Sequence, residues 1–171
     1  MNAKQAAIAL LMPVTVWTTA AVGGDPAAEK RIVERGRYLA TVGGCNDCHT
    51  PRYPETGGQV PVNEWLTGNP VGFQGPWGTT YPANLRLLTQ TMTEAQWVER
   101  ARMAMRPPMP WFNLRDMTDQ DLRAMYQFIR GLGAKGEPAP AYVPLGGVVS
   151  TPYFNFVPQN LPQTQAVTKA Q

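Results

Sequence analysis

Apolar residues recur at helical spacing in three places along the middle of the chain. Ile32, Val33, Gly36, Leu39 and Ala40 fall on or near one face of a helix that Asp25 can cap, with Pro26 in its first turn and Gly43-Gly44 beyond its end. Thr93-Glu94-Ala95-Gln96 has the capping-box pattern. The helix it opens carries Trp97, Val98, Ala101 and Met105 on its apolar side until Pro107-Pro108 stops it. Thr118-Asp119-Gln120-Asp121 opens a third helix, with Leu122, Met125, Tyr126 and Ile129 at helical spacing and Gly131 and Gly133 closing it. Residues 50–88 are rich in glycine, proline and aromatics and show no sustained period, so they read as loop. No internal repeat is visible. The pattern predicts a mainly α fold with long loops.

The two ends are patterned differently. Lys4 is the only charge before Asp25, residues 6–22 are apolar or small, Pro13 interrupts them, and Ala20, Ala21, Gly23 and Gly24 follow. This is the layout of a secretory signal peptide over residues 1–23, short against the ~20 apolar residues a membrane span needs. Retention of that segment as an anchor is the alternative and the one route to a membrane. Either way the folded part is expected in the periplasm. Residues 24–136 then form the folded domain and residues 137–171 a proline-rich extension. Pro138, Pro140, Pro144, Pro152, Pro158 and Pro162 forbid a long helix there. Tyr142, Val143, Val148, Val149, Tyr153, Phe154, Phe156 and Val157 are too apolar for a solvated linker. An extended arm is expected, lying on its own domain or on a partner. Its own domain is favoured, because an open aromatic patch is a liability. Residues 163–171 are expected to be disordered.

Composition narrows the function classes. At 171 residues the chain has room for about one domain. A net charge of +3 is too small for an electrostatic nucleic-acid binder, so no nucleic acid is expected as a partner. Gly 16 and Pro 17 argue for much loop and against a long helical bundle. The 2 cysteines and 1 histidine all lie in Cys45-Asn46-Asp47-Cys48-His49.

That run is the C-x-x-C-H pattern of c-type haem attachment. Two thiols three positions apart reach the two vinyl groups on one porphyrin edge, and the next residue places an imidazole nitrogen under the iron. Three rivals are weaker. A thioredoxin-type redox pair needs a βαβ context that is missing. Zinc needs about four ligands in closed geometry, which one C-x-x-C and an adjacent histidine cannot supply. A disulfide across so short a loop would staple little.

The second axial position has few candidates. No second histidine exists, so bis-histidine ligation is excluded, and methionine is the next choice; a His/Met pair is one way to raise a haem potential. Of the methionines, Met109 stands in Pro107-Pro108-Met109-Pro110-Trp111, a rigid loop between two helices that restrains a weak thioether ligand before it binds. Met105 and an open or water-filled position remain as alternatives. Met125 sits on the core face of the last helix, where methionine is more often packing. The metal ligands expected are therefore His49 and Met109.

The chain resembles a class I c-type cytochrome, similar to the single-haem subunits or domains associated with periplasmic dehydrogenases. The residues that carry the resemblance are Gly36-Arg37-Tyr38-Leu39-Ala40, Cys45 to His49 with Thr50-Pro51, Pro82-Ala83-Asn84-Leu85, Pro107 to Trp111, and Thr118 to Ile129 with Gly131-Leu132. The resemblance implies a fold in which the first and last helices cross beside an exposed haem edge. Gly36 or Ala40 would give the close approach to Phe128 or Met125. It also implies that Asn84 and Trp77 or Trp111 neighbour the haem propionates.

The expected function is single-electron transfer through one covalently bound haem c with its iron held by His49 and Met109, between a dehydrogenase and a downstream acceptor, without an enzymatic activity of its own. The rival is a sensor or peroxide-reactive haem protein with a labile methionine, against which the lack of a distal histidine weighs; a structural interaction module has only the aromatic tail behind it. Redox proteins are the expected partners. Arg100, Arg102, Arg106 and Arg115 bracket the loop around Met109, either as a solvated face with some propionate neutralisation or as a docking rim for an acidic partner.

Overall fold

A computed structural model describes residues 25–160 of the chain. The expected signal peptide at residues 1–23 and the expected disordered stretch at 163–171 lie outside the described residues. Asp25 caps α1 (Pro26–Val42) as its sequence predicts, its carboxylate accepting the Ala27 N–H at 3.0 Å. Gly43 and Gly44 end the helix; Gly44 has φ 68, a left-handed turn that sends the chain directly into the five-residue α2 (Cys45–His49). The inner face of α1 is narrower than the pattern implies. Gly36, Leu39 and Ala40 are buried, whereas Ile32 and Val33 are exposed, because the partner helix crosses only at the later turns.

That partner is α6 (Asp119–Gly131), capped by Thr118, whose hydroxyl accepts the Asp121 N–H. A Cβ added to Gly36 would lie 2.0 Å from the Ala124 carbonyl oxygen and 2.8 Å from the Phe128 Cβ, so the two backbones touch there. Leu122, Met125, Phe128 and Ile129 of α6 form the centre of the core with Ala40, Leu66 and Trp65. The helix α4 (Glu94–Arg102) carries the full capping box between Thr93 and Gln96, and its Trp97 indole N–H donates to the Leu122 carbonyl at 3.0 Å. It ends at Arg102, earlier than the expected stop at Pro107, and Met105 is therefore not part of a helix. The Arg102 guanidinium donates instead to the Leu114, Arg115 and Met117 carbonyls and pairs with Asp119. These contacts tie the end of α4 to the chain leading into α6. Two shorter α-helices, α3 (Leu85–Gln90) and α5 (Trp111–Asp116), and a 3-10 turn at Val62–Glu64 complete the helical set among the described residues.

A small sheet arises from residues that show no period in the sequence. Strands β1 (Gly72–Gly75) and β2 (Gly78–Thr80) form an antiparallel hairpin, and β3 (Tyr153–Asn155) adds in parallel on the other edge of β1, giving the order β2-β1-β3. The arm therefore packs on its own domain. Phe154 packs tilted and Phe156 edge-on against Phe73, with ring centroids 5.7 and 5.5 Å apart, and Thr79 and Val143 exchange two backbone hydrogen bonds at 2.8 and 3.0 Å. No described helix is long and apolar enough to cross a membrane.

Candidate haem site

α2 is too short to hold itself in place, and a buried polar relay does this instead. The Thr50 hydroxyl donates to Asn46 Oδ1 at 2.7 Å and accepts the Leu66 N–H at 2.8 Å. Leu66 is fully buried with φ 61, a strained value for a side chain of this size; its carbonyl in turn accepts the Leu85 and Arg86 N–H groups, which hold the conformation. The His49 carbonyl accepts the Gly68 N–H at 2.8 Å. Through these bonds α2 is locked to the chain that leads into α3.

The His49 ring is buried, and its Nδ1 lies 2.7 Å from the Ala83 carbonyl. A carbonyl can only accept, so Nδ1 carries the proton and Nε2 is the remaining lone pair, with no hydrogen-bond partner among the described residues. Burial holds the His49 pKa below its ordinary value, against the pull of the Ala83 bond, and so favours the neutral imidazole that a metal requires. A hydrogen bond to the far ring nitrogen also fixes the tautomer and orientation of a ligating histidine. Cys45 and Cys48 form no disulfide, which leaves both sulfurs for thioether bonds. Burial pushes the Cys45 thiol up to about 11 and raises that of Cys48 as well.

Cys45, Cys48 and His49 line a cavity of 830 Å³, a size that fits a large organic cofactor. Leu85, Leu88, Trp97, Ala101, Leu114 and Met125 give it apolar walls, and all of residues 103–110 line it too. A planar, mostly apolar macrocycle with two thioether bonds and a histidine on its iron fits this donor set. A bare metal ion does not: among the described residues, no group of three or more His, Cys, Asp and Glu could hold one.

The other expected site residues divide. Met109 and Met105 both line the cavity, half-buried, as do Met103, Met117 and the core residue Met125. Asn84, Trp77 and Trp111 do not line it. Asn84 caps α3 with its carbonyl oxygen and donates from Nδ2 to the Lys135 and Glu137 carbonyls, pinning the start of the arm. The Trp77 indole folds back on its own hairpin, where a Cβ on Gly75 would be 2.5 Å from its ring, and it meets Phe156. Trp111 opens α5 with the Arg115 guanidinium 5.4 Å from its ring. Of the four arginines, Arg102 and Arg115 are paired with Asp119 and Asp116, while Arg100 and Arg106 line the cavity.

Three contributions escape the sequence. The Ala83 carbonyl that orients His49 is backbone and leaves no side-chain signature, although Pro82-Ala83 belongs to the segments that carry the resemblance. Pro140 and Tyr142 of the arm form part of the cavity wall. Tyr81, also in the wall, shares a hydrogen bond of 2.7 Å with Thr151 of the arm.

A mainly helical fold around a large apolar cavity, with two cysteine sulfurs and an oriented imidazole at its wall, defines the class as a haem c protein. The cytochrome c family model matches residues 33–133, and the chain belongs to that family. Its cofactor is covalently attached haem c, with Cys45, Cys48 and His49 fitting the attachment motif, and its chemistry is electron transfer. No curated protein and no solved structure matches the chain.

Proposed function

We propose that the protein is a periplasmic electron carrier whose haem iron is held by His49 and Met109, and that it passes single electrons from a dehydrogenase to a downstream acceptor. When bound, the haem would supply a one-electron couple, and with both His49 and Met109 holding its iron no substrate would need to bind there. The protein's own residues do the rest. Cys45 and Cys48 anchor the group against loss outside the cytoplasm. The Ala83 carbonyl holds His49 in the tautomer that presents Nε2. The apolar walls from α4, α5 and α6 keep water away, which together with a thioether ligand favours the reduced state.

The observation that carries this reading is that residues 103–110 line the same cavity as the C-x-x-C-H helix. Pro108 and Pro110 flank Met109, so its backbone is restrained before any ligand bond forms. Met105 has no such restraint. Export and the dehydrogenase partner rest on the sequence of residues 1–23 and on the resemblance. Voltammetry of the purified holoprotein tests the reading, with a carbon monoxide titration of its reduced form. A single reversible one-electron wave with no carbon monoxide binding is the expected result. Tight binding by the unaltered protein would mean an open or labile position and a ligand-sensing role instead.

A further inference from the structure

The loop that carries Met109 has few anchors of its own. Pro107, Pro108 and Pro110 have no N–H to donate. The Met103 N–H bonds back to Arg100, while the Met109 and Pro110 carbonyls accept from Trp111 and Asn113, so these bonds stay within the flanking helices. Two polar contacts tie residues 103–110 to distant parts of the described chain. The Thr80 hydroxyl donates to the Pro107 carbonyl at 2.8 Å, and the Arg106 guanidinium stacks 4.1 Å from the centroid of the Tyr142 ring. Arg106 has no carboxylate within ion-pair distance among the described residues, unlike Arg102 and Arg115. Among the described residues the tyrosine face is its one marked attraction.

Both contacts lead to the C-terminal arm. Tyr142 donates its hydroxyl to the Trp77 carbonyl at 2.8 Å, and Val143 pairs with Thr79, the residue before Thr80. The hairpin is shaped for this attachment. Gly78 has φ 93, and a Cβ there would lie 2.5 Å from the Val143 carbonyl oxygen and 2.9 Å from the Tyr142 hydroxyl. Thus the arm grips β2, β2 grips the loop through Thr80, and the arm also grips the loop directly through Arg106.

From this arrangement we infer that Tyr142 is a positioning residue for the methionine ligand: the arm clamps residues 103–110 through the Tyr142–Arg106 stack. The inference rests on the proposed ligation by Met109. A thioether is a weak ligand, so the loop's freedom to swing away competes directly with the iron–sulfur bond. An added ligand such as imidazole binds only when the loop has opened, and its apparent affinity reads the open fraction.

The test is imidazole titration of the ferric holoprotein for wild type, Tyr142→Ala, Tyr142→Phe, Arg106→Leu and the double variant Tyr142→Ala/Arg106→Leu. Tyr142→Ala and Arg106→Leu should each raise imidazole affinity by about three- to tenfold, the worth of one cation–π contact, and the double variant should do no more than either alone. Tyr142→Phe keeps the ring and loses only the hydroxyl bond to Trp77, with the Val143–Thr79 pair still holding the arm, so it should raise affinity less than Tyr142→Ala; it also remains informative if Tyr142→Ala folds poorly. Unchanged affinity in Arg106→Leu, or strictly multiplicative effects in the double variant, would overturn the clamp. Met109→Ala in the same series separates the two claims. If it abolishes the weak red-edge absorption of a methionine-ligated ferric haem while the other variants match wild type, the clamp fails and the ligand stands. If Met109→Ala keeps that absorption, the ligand reading fails and the clamp with it.

Discussion

Gly36 is the residue at which α1 and α6 meet backbone to backbone, and its hydrogen is all that fits. An alanine methyl would be driven against the Ala124 carbonyl and the Phe128 Cβ, neither of which is the free end of a flexible side chain. Gly36→Ala should destabilise the holoprotein by at least the ~1–3 kcal/mol typical of overpacking, read in denaturant unfolding, despite alanine's better helix propensity. At the attachment helix, Cys45→Ser or Cys48→Ser should leave at most one thioether and cut holoprotein yield, measured by haem staining on a denaturing gel and by the pyridine haemochrome. Cys45, Cys48 and His49 were legible because covalent chemistry fixes their spacing in sequence. Asn84, Trp77 and Trp111 carry no such fixed spacing. An asparagine before a helix and a tryptophan in a Gly/Pro-rich hairpin suit caps and wedges as well as cofactor walls, and here they serve as a cap, a hairpin wedge and the start of a helix. Nothing in the letters distinguishes those uses.

Among the elements, the crossing of α1 and α6 carries an electrostatic tie as well as a steric one. Arg35 on α1 donates to Asp121 on α6 at 2.9 Å, and this hydrogen bond holds the Asp121 carboxyl below its ordinary 3.8. A carboxylate depressed in the folded state adds stability above the unfolded value. That stability is lost as pH falls through the lower folded one. Wild type should therefore lose more stability than Asp121→Asn between about pH 5 and the acid limit of folding, and equal acid slopes in the two proteins would show the pair to be inert. The starts of α1, α4 and α6 were readable because Asp25, Thr93 and Thr118 announce a local event, the satisfaction of free N–H groups. The end of α4 was not, since Arg102 is captured by carbonyls beyond the loop. The sheet was the least legible element. Its strands are 3 or 4 residues long, and β3 comes from the arm, far along the chain from β1.

For the molecule as a whole, the arm is part of the haem pocket rather than an appendage. Its aromatics are only partly covered: Phe154 and Phe156 pack on Phe73, and Phe156 also meets Trp77, yet they stay 54% and 44% exposed, and Tyr142, Val148, Tyr153 and Val157 are exposed as well. Truncation after Gly136 removes Pro140 and Tyr142 from the cavity wall and β3 from the sheet. The truncated holoprotein should melt lower and show a more water-exposed haem spectrum with no partner present; an unchanged melt would mean that the arm contributes nothing to the domain it lies on. Ligation of the iron is read most directly in the ferric absorption spectrum of wild type, Met109→Ala and Met105→Ala. The predicted result is a weak red-edge band in wild type and in Met105→Ala that vanishes in Met109→Ala, whose reduced form then binds carbon monoxide. A band absent from wild type, or one that survives Met109→Ala and disappears in Met105→Ala, would contradict ligation by Met109.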